Sequence, residues 1–163
     1  MYTLKNYVGG EWVAGVGKEI ELFNSINGEA IATTSTEGID YAAVLSYGRN
    51  IGGPALRKMT FTERGLMLKK LALHLYGMKE KFYTLSAATG ATRVDSWIDI
   101  EGGIGNLFAN ASLRRQFPDL PYHIDGDAIP LSKLGHFSAQ HICVPKEGVA
   151  LHINAYNFPI WGM

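Results

Sequence analysis

Val149-Ala150-Leu151-His152-Ile153-Asn154-Ala155-Tyr156-Asn157-Phe158-Pro159-Ile160-Trp161-Gly162-Met163 carries most of the information on fold class. Val149 to Ile153 is an apolar run of strand length, and it leads into Asn-Ala-Tyr-Asn-Phe-Pro. A strand that ends in Asn, an aromatic residue and Pro reads as a βα junction that opens a helix. The helix is expected beyond Met163. The expectation is therefore a chain cut where an α/β unit starts to build its ligand crevice.

Upstream of this junction the order is β, then α, then β, which makes the protein α/β. Tyr7-Val8-Gly9-Gly10-Glu11-Trp12-Val13 places a Gly-Gly pair between β-forming residues, a hairpin signal. Ile20 to Phe23 and Ala30 to Thr34 flank the turn dipeptide Asn27-Gly28. Asp40 can cap a helix through Tyr47 that the Gly52-Gly53-Pro54 breaker is expected to end. Thr60-Phe61-Thr62-Glu63 is a capping box, and Met67, Leu68, Leu71, Ala72 and Leu75 follow at helical spacing as a core stripe. Lys79 to Ala88 continues helical until Thr89-Gly90. Asp95 or Ser96 then opens a long helix through Ala111. Residues 117–131 hold three prolines and read as turns, the one plausible internal boundary. From His136 the chain is extended, with Pro145-Lys146-Glu147 as a hairpin-length connector to Val149.

Composition narrows the function classes. Of 163 residues, 47% are apolar and 18% charged, which excludes a disordered chain. Fifteen basic residues balance fifteen acidic ones, so no net field favours nucleic acid or an anionic membrane. No apolar run nears the roughly 20 residues that span a bilayer. The N-terminal residues lack a secretory pattern, so cytoplasmic is the expected location. A single cysteine, Cys143, excludes an intrachain disulfide. Between Ile142 and Val144 it reads as a buried strand residue, not a nucleophile. His136, His141 and His152 do not form a metal set, and none is expected. Gly102-Gly103-Ile104-Gly105 follows no strand, so close helix packing is preferred over a phosphate loop. Asp95, Asp99 and Glu101 read as a solvated helix face. Asn157 stands apart. At a strand–helix junction its amide can either cap the helix or donate into a site above the strand, and the residues alone leave both readings open.

Ile153-Asn154-Ala155-Tyr156-Asn157-Phe158-Pro159 resembles the Pro-Trp-Asn-Phe-Pro signature of the aldehyde dehydrogenase superfamily. Tyr7 to Val13, the Phe23 to Glu29 turn, Thr62-Glu63-Arg64, Thr89-Gly90 and Lys146-Glu147-Gly148-Val149 resemble further family segments in the same order. Ala87 to Gly105 and Pro54 to Phe61 are similar, more narrowly, to the ring-opening branch of bacterial phenylacetate degradation. The semialdehyde dehydrogenases of the benzoyl-CoA pathway are close cousins.

This resemblance implies an aldehyde dehydrogenase-like fold. Residues 1–130 would be the N-terminal lobe of the cofactor-binding domain, 131–148 an oligomerisation hairpin, and 149–163 the first strand of the nucleotide-binding sheet. It implies NADP as cofactor, with NAD as the alternative, a CoA-linked semialdehyde as substrate, and a homo-oligomer. Asn157 would stabilise the oxyanion, and Ile153, Asn154, Ala155 and Tyr156 would border the cofactor. Trp161 would face the substrate tunnel. Ala155-Tyr156 departs from the usual Pro-Trp of the signature. The family's nucleophilic cysteine and general-base glutamate have no counterpart in this stretch, so these residues alone are expected to be inactive. Two competing readings remain: a benzoyl-CoA-pathway dehydrogenase, and a non-catalytic interaction module.

Overall fold

The computed structural model describes residues 2–162. Its core is helical. Helix α3 (Phe61–Gly77), α4 (Lys79–Ala87) and α5 (Arg93–Ser112) pack around Ala72, Tyr83, Ile100, Ile104 and Leu107. Each helix begins where its local chemistry dictates. The Thr60 hydroxyl accepts from the Glu63 amide at 3.2 Å, and the Glu63 carboxylate accepts from the Thr60 amide at 2.8 Å. That reciprocal pair satisfies two amides that would otherwise lack helical partners. Gly65 lets α3 and α5 close on each other, since a Cβ there would stand 2.9 Å from the Ala111 carbonyl oxygen. Gly90, at φ 83°, supplies the left-handed residue after α4.

The N-terminal strands are short. β1 (Tyr2–Leu4) runs parallel to β5 (Ala30–Thr34), and β4 (Ile20–Phe23) pairs antiparallel with the other edge of β5. β2 (Asn6–Val8) and β3 (Glu11–Val13) form the Gly9-Gly10 hairpin, with Tyr7 opposite Trp12. Both turn glycines have positive φ, as a twist-matched two-residue turn requires. The Asn6 amide donates to the Ser35 carbonyl at 2.8 Å and so ties the hairpin to the end of β5. Beyond the helices, β6 (His123–Pro130) and β7 (Ser138–Cys143) make a second antiparallel hairpin.

Several expectations are corrected. Gly52-Gly53-Pro54 does not end the helix capped by Asp40. Helix α1 (Tyr41–Tyr47) widens into a π-helical stretch (Gly48–Gly52) and continues as α2 (Gly53–Lys58). Pro54 has no N–H and would crowd the carbonyl four residues back, and the wider turn accommodates it. α5 is capped by Thr92, not by Asp95 or Ser96: the Thr92 hydroxyl accepts from the Asp95 amide at 3.2 Å. Met67 and Leu71 are exposed, so the stripe of α3 narrows to Leu68, Ala72 and Leu75. Within the 117–131 stretch expected to form turns, His123–Pro130 is a strand, because β7 pairs with β6 across a loop over 131–137. Pro130 sits at the end of β6, and the Asp125 to Ile129 irregularity absorbs Gly126, so turn-forming residues coexist with a strand. Cys143 is exposed, because β7 is exposed along its length.

Residues 149–153 form no strand. A strand exists through its ladder with a neighbour, and among the described residues none lies alongside. Replacing Thr60 with Ala removes half of the capping box. The expected outcome is a loss of about 1 kcal/mol in a urea unfolding titration, with an unchanged m-value.

Candidate active site

The first half of α5 builds the ground under the signature segment. Asp99, Gly102 and Gly103 stand at i, i+3 and i+4, and therefore share one helix face. The Asp99 carboxylate is 3% exposed. Its Oδ1 accepts from the Ile160 amide at 3.0 Å and from the Trp161 amide at 2.6 Å. The two glycines form the seat. A Cβ on Gly103 would stand 2.8 Å from Trp161 Cα and 2.9 Å from the Ile160 carbonyl oxygen, and one on Gly102 would overlap the Trp161 ring. Ile160 packs against the core formed by Ile100 and Ile104. The glycine run thus serves close packing, but of a loop and not of a second helix. Asp99 is no part of a solvated face.

A second clamp closes the segment on itself. The Asn154 side-chain amide donates to the Pro159 carbonyl at 3.0 Å. Residues 155–158 form the bight between these two ends, with Asn157 within it. Ile153 and Tyr156 are open, at 86% and 92% exposure, and Ala155 and Asn157 are exposed too. No hydrogen bond engages the Asn157 side chain among the described residues, and residues 156–162 form turns, so Asn157 caps no helix here. Trp161 lies against α5 with 45% exposure. The structure therefore gathers Asn154, Asn157 and Trp161 into one anchored loop and leaves Ile153, Ala155 and Tyr156 as its open flank.

Sequence reasoning missed Asp99. Its signal was present: an acidic residue one turn before a Gly-Gly pair marks a helix face that another backbone approaches. Glu101 was misread as well. Its carboxylate accepts from the Tyr83 hydroxyl at 2.8 Å and from the Lys79 ammonium at 3.2 Å, which joins α4 to α5. The Tyr83 hydrogen bond, seconded by Lys79, holds the Glu101 carboxyl below its usual range against the opposing effect of burial. Burial, then the hydrogen bond to Glu101, raises the Tyr83 hydroxyl. Lys79 is raised by its contact with Tyr76 first and by Glu101 second. This cluster is a strut of the helical core that ties α4 to the same stretch of α5 on which the loop rests.

Comparisons with known proteins bear on the family and the fold. The model of the aldehyde dehydrogenase family matches residues 12–163. This chain belongs to the aldehyde dehydrogenase family. It is 35% identical over 161 residues to a 3,4-dehydroadipyl-CoA semialdehyde dehydrogenase of Aromatoleum evansii. That match covers 98% of this chain and 31% of the relative, so the chain spans about a third of the length of the curated relative it matches. Among solved structures, an NAD-dependent benzaldehyde dehydrogenase from Corynebacterium glutamicum superposes with a TM-score of 0.63 at 18% identity, over 78% of this chain and 28% of that one. PnpE in complex with nicotinamide adenine dinucleotide superposes with a TM-score of 0.65 at 20% identity, over 80% of this chain and 26% of that one. At these identities the structures establish the aldehyde dehydrogenase-like α/β fold of the chain. Among the described residues no helix is long and apolar enough to cross a membrane.

The Glu101 cluster of this aldehyde dehydrogenase segment gives a pH dependence of definite sign. The lowered Glu101 contributes stability that is present above the ordinary carboxylate range and lost as pH falls through its folded value. The raised Lys79 and Tyr83 contribute stability that is lost as pH rises through their own folded values. Tyr83→Phe is expected to lower unfolding stability by about 1 kcal/mol at neutral pH. Urea titrations across acid pH check this, and the difference from the unsubstituted chain shrinks once Glu101 is protonated.

Proposed function

We propose that this chain is the N-terminal part of the cofactor-binding domain of an NADP-dependent aldehyde dehydrogenase that oxidises a CoA-linked semialdehyde to the acid in aromatic catabolism. The observation that carries the proposal is the signature segment, Asn154 to Pro159, held as an anchored loop in a chain that is 35% identical to a CoA-semialdehyde dehydrogenase. The substrate we assign is the semialdehyde released by ring opening in phenylacetate degradation, 3-oxo-5,6-dehydrosuberyl-CoA semialdehyde. The name of the Aromatoleum relative favours a second reading, oxidation of 3,4-dehydroadipyl-CoA semialdehyde. Both are aldehydes on a CoA thioester and call on the same chemistry.

In this reading Asn157 is the catalytic amide. Its side-chain N–H groups donate to the aldehyde oxygen as that oxygen gains negative charge, and such a donor acts on the transition state more than on the ground state. The Asn157 side chain is exposed, as that role requires. Ile153, Asn154, Ala155 and Tyr156 form one wall of the cofactor site. Unpaired backbone and open apolar side chains there fit a flat aromatic ring laid against them. When bound, a nicotinamide supplies a two-electron acceptor for hydride. Trp161 shapes the substrate side of the loop. Cys143 lies upstream of the signature and takes no part. The nucleophile and the general base belong to other parts of the protein.

The β6–β7 hairpin is the contact between subunits of a homo-oligomer in this proposal. Ile129 and Ile142 on its strands and Leu131, Leu134 and Phe137 on its loop are exposed apolar side chains, which an assembled interface would cover.

In the complete protein, Asn157→Ala is expected to lower kcat about 100-fold or more, with the KM for the nicotinamide cofactor little changed. Steady-state rates of NADPH formation with each semialdehyde measure this. The ratio of kcat/KM for the two semialdehydes separates the two substrate readings, and NADP against NAD separates the cofactors. The 163-residue chain by itself is expected to produce no NADPH. In light scattering it is expected to run well above its 17.9 kDa monomer mass.

A further inference from the structure

We infer that Asp99 is a positioning residue for the Asn157 amide and that the Gly102-Gly103 pair is the seat on which that positioning depends. The inference rests on the reading of Asn157 given above.

Asp99 has a single polar task in the structure, and that task points at the loop. It is buried to 3% exposure in the core-facing side of α5, and one of its oxygens takes both the Ile160 and the Trp161 amides, at 3.0 and 2.6 Å. A buried carboxylate is costly unless its hydrogen bonds are made, so the loop and the carboxylate require each other. Few free torsions lie between this anchor and Asn157. Only Phe158 and Pro159 intervene before Ile160, and the proline ring locks φ at Pro159. From the other side, Asn154 holds the Pro159 carbonyl at 3.0 Å. The backbone that carries Asn157 is therefore fixed at both ends of a short arc, and α5 is the rigid element beneath it. The same loop would drift if Asp99 lost its oxygen. It would be lifted if Gly103 gained a Cβ, since that atom would stand 2.8 Å from Trp161 Cα. Misplacement of a catalytic group by about 1 Å is enough to cost a large share of its effect.

A carboxylate that acts through Asn157 differs from one that only supports folding, and a double-mutant cycle in the complete protein tells them apart. Asp99→Asn keeps an oxygen of the same reach for the two amides, whereas Asp99→Leu keeps the branched outline at a larger volume and removes the acceptor. The expected results are a kcat for Asp99→Asn within about threefold of the unsubstituted protein and a loss of about tenfold or more for Asp99→Leu, with the KM for cofactor changed less than about twofold. In the Asn157→Ala background, Asp99→Leu is expected to cost less than about twofold more, because the group it positions is already gone. Equal losses in both backgrounds, or an Asp99→Leu variant as active as the unsubstituted protein, would overturn the inference. Should Asp99→Leu fail to fold, Gly103→Ala takes its place in the same cycle, with the same outcomes. An Asn157→Ala protein of unchanged kcat sinks instead the assignment of Asn157 itself, whatever Asp99 does.

Discussion

The hydrogen bonds from the Ile160 and Trp161 amides to one oxygen of Asp99 are the constraint on which the C-terminal segment of this chain depends. They join residues more than sixty positions apart in sequence. Amide-to-carboxylate bonds are stronger than neutral ones, and burial strengthens them further while making their loss expensive. Without them the segment after Val149 would have few other ties to the helical body. Val149 lies beside Gly48, where a Cβ would stand 2.9 Å from it, and Glu147, itself exposed, pairs loosely with Arg57 at 3.6 Å, an ion pair that contributes little. The loop is thus held by one buried carboxylate, two absent Cβ atoms and one side-chain clamp at Asn154.

That arrangement explains why the helical body must be well made. Asp99 lies one residue before Ile100, and Ile100 and Ile104 are the largest fully buried side chains. The same helix turn that fills the core therefore aims the carboxylate. Tyr83, Glu101 and Lys79 brace α5 against α4 on an adjoining side, and Arg93 lies over the Tyr83 ring, 3.4 Å from its centroid. Rotation of α5 would unseat the core and the loop together. A site supported on a packed helix is more accurate than one that relies on its loop alone.

Local chemistry was legible in the sequence. The Gly9-Gly10 hairpin, the Asn27-Gly28 turn, the Asp40 and Thr60 caps and the Gly90 terminator all depend on residues a few positions apart. Each is decided by which hydrogen bond or φ value a neighbouring side chain permits. The family was legible too, through segments whose order matched along the whole chain and whose membership the comparison over residues 12–163 established. Misreadings arose where a signal depends on what lies opposite. The apolar run Val149 to Ile153 has strand composition and no ladder, and the proline-bearing stretch before Pro130 has turn composition and a ladder. Pairing is a property of two segments, and composition describes one.

The sequence by itself determined the local caps and tight turns, such as those at Asp40, Thr60, Gly9-Gly10 and Gly90, and it singled out Asn157 as a candidate. Only the tertiary structure decided what Asp99, Gly102 and Gly103 are for. Their spacing places them on one face, but a face acquires meaning from the backbone that meets it. The meeting of α5 with Ile160 and Trp161 is set by long-range packing around Ile100 and Ile104. A buried carboxylate and a solvated one are the same letter in a sequence, and the difference between them is the distance to a distant N–H.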